Sequence, residues 1–197
     1  MVSPADRSRR AALMALAALP LSNREVVSVV GSGARLQGSR TLVAYFSRSG
    51  NTRVIAGLIH RSLAADLFEI QPARPYPEDY LATVDQAQQE RDSGYQPPLA
   101  ATISDVARYD TVFLGFPVWG ETVPPVIRTF LVTNDLSGKN LIPFTTHGGY
   151  GLGNSRSVIA CHAPKARLRQ GFLMEADQER RTMNRVAGWL DEIKTKG

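Results

Sequence analysis

Residues 41–56, TLVAYFSRSGNTRVIA, decide the fold. Leu42 to Phe46 is a short apolar run of strand formers, whereas from Val54 the apolar residues Ile55, Leu58 and Ile59 recur at helical spacing. A buried strand therefore runs into a helix. Between the two periods lie Ser47, Arg48, Ser49, Gly50, Asn51 and Thr52, which offer hydroxyls, a side-chain amide and, through Gly50, close approach of backbone N–H groups. With the positive end of the helix dipole behind it, such a loop suits a terminal phosphate. The plainer alternative is a Ser/Gly/Asn turn with Thr52 as an N-cap. Two other nucleotide loops are absent: no Gly-Lys-Ser/Thr occurs in the chain, and no Gly-x-Gly-x-x-Gly follows this strand.

Outward from this stretch the chain alternates strand and helix signals, without internal repeats. Asp66 to Ile70 predicts a second strand, and Pro72, Pro75 and Pro77 force an irregular crossing before a polar helix over Glu78 to Gly94. Thr111 to Phe116 is a continuous apolar strand, the pattern of burial on both faces of a parallel sheet. A helix follows over Pro124 to Val132, then a strand over Leu141 to Thr146 and a helix over Asn154 to Ala163, stopped by Pro164. A short strand over Gly171 to Met174 and a final helix over Asp177 to Lys194 complete five β-α units. Right-handed crossovers make this an α/β fold, a three-layer doubly wound parallel five-stranded sheet of order 2-1-3-4-5, whose ligands sit beyond the carboxyl ends of the strands.

Two further loops fall at those ends. After the third strand comes Pro117-Val118-Trp119-Gly120, where a planar ring could stack on the indole. After the fourth comes Thr146-His147-Gly148-Gly149-Tyr150-Gly151, continuing to Ser155, whose glycines admit close backbone approach and whose Tyr150 adds a second aromatic face. Ser47 to Thr52 resembles the phosphate loop of flavodoxins, and the two later loops resemble those between which flavodoxins hold the isoalloxazine of FMN. The similarity spans residues 41–197 and is nearest to the subgroup with a Tyr-Pro-x-Asp-Tyr segment, here Tyr76 to Tyr80, and a Gly-Gly-x-Gly-x-Gly-Asn-Ser loop, here Gly148 to Ser155. The resemblance implies a flavodoxin-like fold, FMN as cofactor, and a cofactor site formed by the three loops.

The remaining forty residues read differently. Ser8-Arg9-Arg10 precedes a wholly apolar run, Ala11 to Leu21, which resembles a twin-arginine export signal and is shorter than the about 20 apolar residues a membrane-spanning helix needs. Residues 1–40 are therefore expected to be an extension, a signal followed by a Gly- and Ser-containing linker, and residues 41–197 the FMN-binding domain. The protein would be periplasmic if the signal functions, and cytoplasmic otherwise. The formal charge of +5 belongs mainly to this extension, which holds six Arg against Asp6 and Glu25. From Thr41 onward 17 basic residues face 16 acidic ones, so no net electrostatic drive towards nucleic acid is expected.

One cysteine, Cys161, excludes an intrachain disulfide, and His60, His147 and His162 have no metal-ligand spacing. No nucleophile-base pair is evident, so the flavin would perform the redox chemistry and the protein would tune it. Three roles stay open. One is an FMN oxidoreductase acting on a quinone or small acceptor, one an electron carrier docking on protein partners, and one a binding module that keeps the fold without FMN. Carrier flavodoxins are typically strongly acidic, unlike this near-neutral domain.

Overall fold

The computed structural model describes residues 40–175, 186, 188–193 and 195. The expected twin-arginine segment and linker, and most of the expected start of the last helix, residues 177–185, lie outside the described residues. Within them, six strands form one parallel sheet: β1 (Thr41–Tyr45), β2 (Asp66–Glu69), β3 (Thr111–Pro117), β4 (Asn140–His147), β5 (Arg167–Leu168) and β6 (Phe172–Glu175). The order is β2-β1-β3-β4-β5, with β6 also paired to β4. This is the expected doubly wound order.

Helices α1 (Asn51–Leu63), α2 (Tyr80–Ser93), α3 (Pro125–Thr133) and α4 (Ser155–His162) connect the strands, and residues 188–193 are again helical. Strand alternation divides the core between the two faces. Leu42 and Ala44 of β1 join Leu114 and Phe116 of β3 against Val126, Ile127 and Phe130 of α3 and Ile159 of α4. Their neighbours Val43 and Tyr45 join Phe113, Ile142 and Phe144 against Ile55, Ala56 and Ile59 of α1, with Val186 and Leu190. Both faces of β3 are thus covered, which is why its sequence is apolar without a break.

The expected fifth strand, Gly171 to Met174, is β6; the two-residue β5 before it is an additional strand, and Pro143 explains why the two are separate. In β4 the amide of Asn140 and the carbonyl of Thr146 bond towards β3, whereas the carbonyl of Leu141 accepts from Arg169 on the other side. By alternation the nitrogen of Pro143 faces β5, where it has no hydrogen to donate. The ladder breaks at Arg169, whose carbonyl instead accepts from Arg156 Nη1 at 3.0 Å. Pairing resumes at Phe172, opposite Phe144. The intervening Gly171 passes so close that a Cβ there would lie 2.3 Å from the Pro143 carbonyl oxygen.

Candidate functional site at the carboxyl ends of the strands

The loop after β1 turns on Gly50, which sits at φ +95 and forms the N-cap of α1. Thr52 is therefore two residues inside the helix rather than its cap. No side chain caps this helix start, and its first turn holds no acidic residue. The amide of Gly50 donates to Ser47 Oγ at 3.2 Å, which bends the chain into a small concavity of donors. Thr52 is buried, and its hydroxyl meets that of Thr146 at 2.9 Å, linking the loop to the end of β4. Arg48 reaches out to the next segment: its Nη2 donates to the carbonyl of Glu78 at 2.6 Å, and its guanidinium lies 5.9 Å from the centre of the Tyr80 ring.

After β3, Trp119 and Thr122 exchange two backbone hydrogen bonds of 3.0 and 3.2 Å around Gly120 and Glu121. Both central residues have positive φ, +55 and +61, the signature of a type I′ turn. The turn is clamped from behind, since Asn154 N donates to the Glu121 carbonyl at 2.9 Å. A Cβ on Gly153 would lie 1.9 Å from that same oxygen, so the glycine lets the two loops meet. Trp119 is held edge-on by Phe46 and Tyr76, at centroid distances of 5.2 and 5.0 Å and interplanar angles of 82° in both pairs. Tyr76 is itself anchored: its hydroxyl donates to Glu90 Oε2 at 2.8 Å. Burial first, and then that carboxylate, raise its pKa well above the ordinary tyrosine value.

After β4, His147 Nδ1 accepts from the amides of Gly149 at 3.0 Å and Gly151 at 3.2 Å. An acceptor at Nδ1 places the ring proton of the neutral imidazole on Nε2. The histidine thereby shapes the glycine loop, whose Gly149, Gly151 and Gly153 all have positive φ. Tyr150 at its tip is 82% exposed.

These elements enclose a cavity of about 570 Å³, within the range of small-ligand sites. Of the sequence-predicted residues, Arg48, Val118, Trp119, Gly120, His147, Gly148 and Tyr150 line it. Ser47, Ser49, Gly50, Asn51 and Thr52 form the neighbouring helix start, while Pro117, Thr146, Gly149 and Gly151 shape the loops behind the lining. Sequence reasoning missed a whole wall: Tyr80, Thr83, Val84, Ala87, Gln88 and Arg91 of α2. Its trace in the sequence is the spacing Thr83, Ala87, Arg91, one helical face of small and polar residues on an otherwise polar helix.

The residues present fit a flavin mononucleotide. An uncapped helix start, hydroxyls from Ser47, Ser49 and Thr52 and the Asn51 amide form a donor set without a carboxylate, as a phosphate requires. A cavity with Trp119 and Tyr150 on its lining suits an aromatic ring. Among the described residues no group of His, Cys, Asp and Glu could hold a metal ion.

The flavodoxin family profile matches residues 40–193 of the chain. No protein of curated function matches the sequence. Among solved structures, the chain is similar to a protein from Bacteroides eggerthii DSM 20697 assigned as a flavoprotein, with 32% identity and a TM-score of 0.69 over 79% of this chain and 98% of that one. A protein from Bacteroides uniformis ATCC 8492 with the same assignment gives 30% identity and a TM-score of 0.67, covering 76% and 99% of the two chains. A flavoprotein from Lactobacillus acidophilus NCFM, solved in complex with FMN, shares the fold at 23% identity and a TM-score of 0.62, over 74% of this chain and 99% of that one.

Proposed function

The chain belongs to the flavodoxin family, and from that premise we propose that it is an FMN oxidoreductase delivering electrons to a quinone or another small acceptor. FMN is the cofactor that the family and the donor set of the Ser47 to Thr52 loop both call for, and it is the ligand of the Lactobacillus acidophilus relative. When bound, it supplies the hydride and single-electron chemistry that no side chain of this site can perform.

The protein's own part is binding, orientation and exclusion of water. Ser47, Ser49, Asn51 and Thr52, with the first amides of α1, would hold the phosphate. Trp119, fixed edge-on by Phe46 and Tyr76, and Tyr150 would border the ring. His147 lines the cavity, while its Nδ1 holds the glycine loop in shape.

One observation favours a small acceptor over a protein partner: α2 adds a wall of side chains to the β3 and β4 loops around the site, which makes a concave space of small-ligand size. A carrier that docks on proteins needs its flavin edge on an accessible surface. The near-neutral charge of residues 41–197 points the same way. Purified protein should be yellow, release FMN on denaturation, and oxidise NAD(P)H in the presence of a quinone with no other protein added. A yellow protein that is re-oxidised only by a second protein would make it a carrier; a colourless one that takes up no FMN would remove both roles.

A further inference from the structure

The cavity carries a charge pattern that a flavin ring does not explain. Its lining includes Arg48, Arg91 and His147 against one carboxylate, Glu121. Arg48 is tied to the Glu78 carbonyl. Arg91, near the end of α2, is placed differently. Its guanidinium lies on the β3 loop, where Nη1 is 2.6 Å from the position a Cβ on Gly120 would take, so the absence of a side chain at residue 120 gives it room beside Trp119. Its Nε donates to the adjacent Asp92 at 3.0 Å, and among the described residues its Nη groups have no carboxylate partner.

A second guanidinium reaches the same turn at Thr122. Arg128 of α3 is half-buried, with its Nε buried and unpartnered, and its Nη2 reaches only Thr122 Oγ1, at 3.4 Å. Thr122 also lines the cavity. Burial first, and then the nearby charge of Arg91, push the Arg128 pKa below its ordinary value. Two guanidinium groups thus reach the same β3 turn, one at Gly120 and one at Thr122, and among the described residues only the surface carboxylate of Asp92 is paired to either, an arrangement that an anion in front of them would relieve.

Resting on the oxidoreductase reading, we propose that the small molecule exchanging electrons here is anionic, and that Arg91, backed by Arg128 and Thr122, binds its carboxylate, sulfonate or phosphate group beside Trp119. That anion belongs to the acceptor or to a phosphate of the nicotinamide donor; the recognition chemistry is the same. In the acceptor arm, a quinone takes up two electrons and two protons to become the diol, the reduced flavin giving up both.

The test uses FMN-loaded full-length protein, photoreduced without oxygen and mixed with 1,2-naphthoquinone-4-sulfonate or with uncharged 1,2-naphthoquinone. Arg91→Gln should raise the half-saturating concentration of the sulfonate roughly tenfold or more, with the limiting rate and the uncharged quinone little changed, and Arg91→Lys should recover part of the loss. Added salt should raise the same constant in the wild type and not in Arg91→Gln. A parallel NADPH and NADH titration locates the anion: a loss confined to the nucleotides assigns it to the donor. FMN uptake, read as quenching of flavin fluorescence, is measured first in every variant. A protein that takes up no FMN overturns the underlying reading and this one with it. Loaded protein whose constants are unmoved by Arg91→Gln, or move equally for charged and uncharged acceptors and for neither nucleotide, overturns the anion site alone.

Discussion

Thr52 and Ser49 lie three residues apart in one loop, yet their hydroxyls live in different surroundings. Thr52 is buried, and its hydroxyl shares a hydrogen bond with Thr146, whereas Ser49 is exposed. Ser49→Ala should therefore weaken FMN binding by about 1–3 kcal/mol, the range for losing a hydrogen bond to a charged group, and leave the urea midpoint of the apoprotein unchanged. Thr52→Val should do both: it loses a phosphate ligand and strands the Thr146 hydroxyl in the interior, at a further stability cost of about 1–3 kcal/mol. Fluorescence titration with FMN and urea unfolding separate the two effects. If neither variant changes FMN affinity, the loop does not hold the phosphate. This loop was legible in the sequence because a change of period around a Gly-containing polar turn has few other meanings. The clamping of Trp119 by Phe46 and Tyr76 was not, since residues 46, 76 and 119 meet only once three separate segments are folded.

At the scale of elements, the central strands were readable from their unbroken apolar runs, and the helices from their spacing and flanking prolines, but the caps were not: Gly50 rather than Thr52 caps α1, and Asp79 lies before α2 rather than within it. Asp79 caps α2 by accepting from Ala82 N at 2.8 Å, and Pro125 occupies the first turn of α3. The extra strand β5 and its separation from β6 were not readable, because the cause of the break, Pro143, lies on β4 and acts through register. The α2 wall escaped for a related reason: helical spacing gives a face, but not what the face is turned towards. Close packing between β3 and β4 gives a sharp test of the register itself. Gly115 pairs with Phe144, and a Cβ at residue 115 would lie 2.1 Å from the ring of that phenylalanine. Gly115→Ala should destabilise the domain by about 1–3 kcal/mol through overpacking, and Phe144→Leu in the same chain should recover part of that loss. Simple additivity of the two substitutions in thermal or urea unfolding would mean the residues do not oppose each other.

At the scale of the molecule, the candidate site is assembled from loops that follow β1, β3 and β4 and from helix α2, so no single segment can form it alone. FMN should then stabilise the domain as a whole: at a free concentration a thousand times its dissociation constant, linkage gives about 4 kcal/mol. For a domain of this size that corresponds to a rise in melting temperature of roughly 8–16 °C, and calorimetry with and without FMN measures it. The same dependence on a finished fold bears on where the protein works. FMN held by non-covalent contacts from several segments would be taken up only after folding, and a chain loaded before export would have to cross the membrane folded. Ser8-Arg9-Arg10, followed by the apolar run Ala11 to Leu21, resembles the kind of address that sends folded proteins across. We therefore expect residues 1–40, fused to a folded reporter, to deliver it to the periplasm of a bacterial host. Arg9→Lys with Arg10→Lys should hold the reporter in the cytosol, although the charge is unchanged, because the receptor reads the guanidinium pair rather than net positive charge. Equal export of the native and double-lysine fusions, measured by cell fractionation, would show that the segment is not a twin-arginine address; retention of both would show that it is no address at all.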